Sequence, residues 1–186
     1  SELGFQCRRH AAHELLVSGH IHEGLAMLRS VLTETGDKIP TTIGAVKRQL
    51  VWRHLRIALH GTKFRARKSP DVRTSLDELR IDMMRSASLG LSMVEPLTGA
   101  ARQANAVLVA RRIGDPRRFA YALCFYAMYL ASSGTRVAAA KKMVAQAREL
   151  AHDLDHPLLL AWTRAGEGIA DFFAGNYVTS LEILEE

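Results

Sequence analysis

A glycine with a small residue seven positions before it and another five positions after it constrains this chain more than any other feature. The pattern occurs at Gly19 (Ala12, Gly24), Gly99 (Ser92, Ala104), Gly134 (Ala127, Ala139) and Gly175 (Gly168, Ser180). Ala, Gly and Ser fill 50 of the 186 positions, and among 13 glycines chance alone gives about one such match. The physical reason is close approach. A small residue on each helix of a hairpin lets the two backbones pack tightly, and the glycine between them ends the first helix with φ > 0 at little cost. The plainer alternative is an alanine-rich bundle with ordinary glycine caps.

A second periodicity favours repetition. Asp115-Pro116 and His156-Pro157 each open a helical pattern and lie 41 residues apart, as do Gly134 and Gly175, and Tyr121 and Trp162. Asp, or another polar residue, followed by Pro is a helix start, because proline suits the first turn where its missing N–H has no intrahelical partner. A fixed offset between such landmarks is the mark of a repeat array.

Taken in order, Glu2 to Val17 reads as a helix with Phe5, Ala12, Leu15 and Leu16 on its apolar side, turned at Gly19-His20. Ile21 to Thr35 is its partner. Thr41 or Thr42 can cap a third helix reaching Leu59, whose apolar set is Val46, Leu50, Val51, Leu55, Ala58 and Leu59. The segment 61-74 reads as a basic flexible loop, with Ser69-Pro70-Asp71 as a turn signal. Ser75 to Glu78 forms a capping box for a helix to Val94. Pro96 and Gly99 break the pattern before a helix to Arg112. Three further helices then follow, Arg117 to Ser132, Thr135 to Leu154 and Pro157 to Ala174, and a last pattern opens at Tyr177. The expected fold is all-α, a tetratricopeptide-like stack of antiparallel helical hairpins (an α-solenoid) of about nine helices. Residues 1-186 read as a single helical-repeat domain, a fragment of a longer chain.

Charge narrows the partners. Formal net charge is +6, and the stretch Lys47, Arg48, Arg53, Arg56, Lys63, Arg65, Arg67, Lys68, Arg73 holds one acid, Asp71. It is a candidate basic surface for an acidic protein partner or, in the alternative reading, for nucleic acid. No apolar run approaches the ~20 residues of a membrane span, so no membrane partner is expected. Cys7 and Cys124 stand far apart, outside any Cys-x-x-Cys motif, which suits a reducing cytoplasm.

No legible motif carries catalysis. The chain lacks a phosphate-binding loop, a dinucleotide fingerprint, kinase signatures and a nucleophile elbow. His13-Glu14 and His22-Glu23 are not followed by the second histidine of a zinc protease, and His10, His13, His20 and His22 lack the ligands that complete a metal site. Neither enzyme activity nor a cofactor is expected. Candidate partner-binding residues are Arg117, Tyr121, Tyr129, Arg164, Glu167 and Asp171. Tyr and Arg anchor protein interfaces, and Glu167 and Asp171 share one helix face at i, i+4 beside Arg164, as a salt-bridged face or part of a binding groove.

The hairpin Trp162…Gly168…Gly175-Asn176-Tyr177…Ser180 resembles a tetratricopeptide unit. It keeps a small residue in each helix and a Gly-Asn-Tyr turn. It departs in spacing, 41 residues against ~34, and places Arg164 where the first helix usually carries an aromatic. More broadly, Ser18-Gly-His-Ile-His-Glu-Gly-Leu-Ala-Met-Leu, Gly61-Thr-Lys-Phe-Arg, Leu89-Gly-Leu-Ser-Met-Val and Gly114-Asp-Pro-Arg-Arg are similar to a helical region downstream of the ATPase module in large bacterial serine/threonine kinase–ATPase signalling proteins. That resemblance implies a protein–protein interaction or intramolecular regulatory scaffold in a cytoplasmic signalling protein. Its kinase and ATPase parts would lie outside this segment. No catalytic residue carries over. The expected partners are neighbouring domains of the same chain or a signalling protein, with self-association through the C-terminal end.

Overall fold

Local signals set where the helices begin and end. Asp115 takes extended backbone, its Oδ1 accepts from the Arg118 N–H at 2.8 Å, and Pro116 follows as the first helical residue. His156 repeats the device, its Nδ1 accepting from the Leu159 N–H at 3.3 Å before Pro157. The corners at Gly134 and Gly175 sit at φ 69° and 84°, conformations that cost a side-chain-bearing residue energy. At the second corner the Asn176 N–H reaches back to the Asp171 carbonyl at 3.0 Å, closing the helix end as a Schellman turn does.

The computed structural model describes residues 2–34, 40, 42–66, 81 and 95–185. Among these residues there are eight helices and no strand: α1 (Glu2–Val17), α2 (Ile21–Glu34), α3 (Ile43–His60), α4 (Pro96–Ile113), α5 (Pro116–Ala131), α6 (Val137–Asp153), α7 (Pro157–Phe173) and α8 (Tyr177–Glu185). The protein is all-α. The helix expected over Ser75 to Val94 lies outside the described residues, apart from Ile81, which is helical and buried. The chain packs as two compact units, Ser1–Leu59 with Asp71–Ala106, and His60–Pro70 with Val107–Glu186.

In the first unit α1 and α2 form a hairpin around Ala12, Leu16, Leu25, Leu28 and Val31, with Ile21 and Met27 packed against them. Gly24 is where they approach. A Cβ there would lie 2.8 Å from the Leu16 Cγ. The expected apolar set of α3 needs correcting. Val46, Leu50 and Ile57 are buried, whereas Val51, Leu55, Ala58 and Leu59 are exposed. One helix face can be buried against one neighbour, and α3 carries more apolar residues than one face holds. The Gly99 corner is also corrected. Pro96 opens α4, and the Gly99 N–H donates to the Glu95 carbonyl at 2.9 Å within its first turn.

In the second unit, α5 packs on α6 and on α7, α7 packs on both, and α8 packs on α7. Covered on two sides, α5 is buried from Phe119 to Ala127. The residues following α3 are irregular and basic but not loose. Phe64 stacks on Phe119 with ring centroids 5.0 Å apart, and the Thr62 carbonyl accepts from Gln146 Nε2 at 2.6 Å. Residues 67–74 of the expected loop lie outside the described residues.

Candidate functional site

The α7–α8 corner brings together the residues that define the small–Gly–small pattern. Ser180 is buried and its Oγ donates to the Gly168 carbonyl at 2.8 Å. That bond requires the two backbones to touch, and Gly168 permits it. A Cβ there would stand 2.6 Å from Leu184 Cγ. Gly166, two residues earlier, faces the other way. Its Cβ would meet Cys124 Sγ at 3.2 Å and Met128 Cε and Val144 Cγ2 at 3.3 Å. Tight approach on both sides of one helix suits a helix held between neighbours. Sequence reading finds Gly168 and passes over Gly166.

The candidate acidic pair is assembled, but with α6. Asp171 Oδ1 accepts from Lys141 Nζ at 2.6 Å and from Asn176 Nδ2 at 2.8 Å. One turn earlier, both Glu167 carboxylate oxygens accept from Arg148 Nη1, at 2.9 and 2.7 Å. Burial pushes the Asp171 carboxyl upward, yet the bonds from Lys141 and Asn176 and the Lys141 charge outweigh it and hold the group below its ordinary value. Asp171 therefore locks the corner and couples it to the preceding helix. Lys141 and Arg148 are the two partners that sequence reading missed. They lie at i, i+7 on α6, spaced to meet acids at i, i+4 on an inclined neighbour.

The other candidates disperse. Tyr121 is buried, 8% exposed, with its ring edge-on to His156 at 6.0 Å. It lines no open surface, a correction that follows from the double coverage of α5. Tyr129 is half-buried, and burial raises its phenol above the ordinary value. Arg164 Nε donates to the Ile183 carbonyl of α8 at 3.2 Å. Arg117 is exposed. Of the candidate basic surface, Lys47, Arg48 and Arg56 are exposed in the first unit. Arg53 is half-buried, donating to the Ala101 carbonyl at 2.9 Å. Lys63 and Arg65 are exposed in the second unit, and Arg67, Lys68 and Arg73 lie outside the described residues.

Chemically reactive groups are turned inward. Cys124 is fully buried, and burial, with the nearby Glu167 charge, pushes its thiol up to about 12. Its Sγ donates to the Trp162 carbonyl at 3.3 Å. Among the described residues no three His, Cys, Asp or Glu side chains are placed to hold a metal ion, and no helix is long and apolar enough to cross a membrane. A groove of about 350 Å³ in the first unit is bounded by Ile43, Val46, Pro96 and Leu97 and spanned by the Arg29–Glu95 ion pair at 3.0 Å.

Part of the exposed surface is apolar. Phe172, Phe173 and Tyr177 pack edge to face, with centroids 5.4 and 5.5 Å from Phe172, and all three are exposed. Val178, Leu181 and Leu184 extend this patch along α8. On α3, Val51, Trp52, Leu55 and Leu59 are exposed on the side opposite the buried stripe. Sequence reading placed Val51, Leu55 and Leu59 on the apolar side of this helix and made no assignment for Trp52. No family model, curated protein or solved structure matches this chain.

Proposed function

We propose that this chain is a tetratricopeptide-like stack of helical hairpins that serves as a protein–protein interaction or intramolecular regulatory scaffold. It would belong to a cytoplasmic, multidomain bacterial signalling protein with serine/threonine kinase and ATPase parts. The observation that carries the reading is the contiguous apolar patch on the last hairpin, where Val178 is 73% and Tyr177 64% exposed. Large uncovered apolar patches on soluble domains mark surfaces that meet another protein. The packing of α7 on both helices of the preceding hairpin supports a stack, since stacked repeats bury each new helix against the last pair. The test is calorimetric titration of the chain against the kinase and ATPase modules encoded in the same reading frame. Binding that Leu181→Lys abolishes is the expected result, and no binding by either module removes the scaffold reading.

The exposed Lys47, Arg48 and Arg56 around Trp52, on a helix without an acid, favour a second reading as a nucleic-acid-associated domain. Binding of that kind would fall steeply with salt as phosphate counterions are released.

A further inference from the structure

The two exposed apolar helix faces carry opposite charge. The outer face of α3 presents Val51, Trp52, Leu55 and Leu59 with Lys47, Arg48 and Arg56, and the helix contains no acidic residue. The outer face of α8 presents Tyr177, Val178 and Leu181 with Glu182 and Glu185, and the helix contains no basic residue. On α8, Glu182 and Glu185 follow Val178 and Leu181 at i, i+4, so acids and apolar side chains share one side. The α3 face combines Trp and Arg, the residue types that anchor interfaces.

We propose that α3 of one copy docks on α8 of a second copy, joining molecules head to tail through unlike surfaces. The inference rests on the reading of this chain as an interaction module and names one partner for it. Such a contact is heterologous: each copy contributes a different surface to it. A single helix-on-helix contact falls below the size of a standard interface, which places the association in the weak range. The salt dependence is distinctive. A chain of net charge +6 repels itself at low ionic strength, so indiscriminate apolar aggregation strengthens as salt screens that repulsion. Pairing of Lys47, Arg48 and Arg56 with Glu182 and Glu185 weakens instead.

The experiment is sedimentation velocity on the whole chain over a concentration series at low and high salt. Two charge reversals at exposed positions, Arg48→Glu with Arg56→Glu and Glu182→Lys with Glu185→Lys, are compared, with helical circular dichroism confirming folding. Wild type should associate with increasing concentration, and less so in salt. Each reversal alone should weaken association by about tenfold or more, and an equimolar mixture of the two should restore it. A wild-type chain that stays monomeric throughout overturns the proposal. So does association that grows with salt, or that survives the α3 reversal, which would mean α8 pairing with itself. A monomer whose α3 face binds nucleic acid also overturns it. If the chain is monomeric but still binds the kinase or ATPase module, the scaffold reading stands and only the self-pairing falls.

Discussion

Gly168 offers the sharpest test of the hairpin packing. Replacing it with leucine inserts a branched side chain where even a Cβ would lie 2.6 Å from Leu184 Cγ and 2.8 Å from its Cδ2. Overpacking of this kind costs about 1–3 kcal/mol. Separating the helices also breaks the Ser180–Gly168 bond of 2.8 Å, worth about 1 kcal/mol, while leaving glycine behind returns about 1 kcal/mol of helix propensity. The net expectation is a loss of about 1–3 kcal/mol, and a fall in melting temperature of roughly 2–4 °C for each kcal/mol in a chain of this size. Gly168→Ala behaves differently, because Leu184 is half exposed and free to swing aside. The helix gain and an off-rotamer cost of about 0.5–1.5 kcal/mol then nearly cancel. In a Leu184→Ala background the obstruction is gone, and Gly168→Ala should stabilise by about 1 kcal/mol. Chemical denaturation of the four chains of this cycle measures the coupling. If Gly168→Ala has the same effect in both backgrounds, Leu184 does not limit the approach, and the reasoning fails.

Gly166→Leu should cost more than Gly168→Leu, because its Cβ would press on the buried Cys124 and Val144 rather than on a half-exposed side chain; a smaller loss of melting temperature would contradict this. Asp171→Asn should destabilise the chain at neutral pH. Its folded carboxyl lies below the ordinary value, so the wild-type advantage is present above the unfolded value of about 3.9 and is lost as pH falls through the folded one. Denaturation curves of the two chains should therefore converge in acid. Cys7, exposed, should react promptly with a thiol reagent, while Cys124 reacts only on unfolding. Because the buried thiol ionises only near about 12, Cys124 removes stability as pH rises above the unfolded thiol value of about 8.5, and Cys124→Ala should flatten that alkaline decline. Trp52, 60% exposed, should be quenched readily by acrylamide, whereas in Trp52→Phe the remaining Trp162, half-buried against Phe125 at 4.9 Å, should emit to the blue and resist quenching.

Helix boundaries were legible in the sequence wherever a short-range device made them. Asp115-Pro116, His156-Pro157 and the corners at Gly19, Gly134 and Gly175 depend on contacts within about five residues, and each ends or begins a helix as its chemistry requires. The pairing of Gly168 with Ser180 was legible too, because a short corner fixes which turns of two antiparallel helices meet. Gly99 misled because a glycine with a small residue five positions on, here Ala104, also occurs within one helix. Tertiary structure alone decided which faces were used. Apolar residues encircle both α3 and α5. Two neighbours cover α5, so Tyr121 is buried, while α3 leaves Trp52 and Leu59 in solvent. Nothing local distinguishes those cases, since burial depends on how many partners reach a helix from elsewhere in the chain. For the same reason the sequence leaves Glu167 and Asp171 as either a salt-bridged face or part of a binding groove, and only the packing brings Arg148 and Lys141, 19 and 30 residues earlier, to meet them. A charge pattern gives the sign of the partner it needs, but only packing supplies that partner.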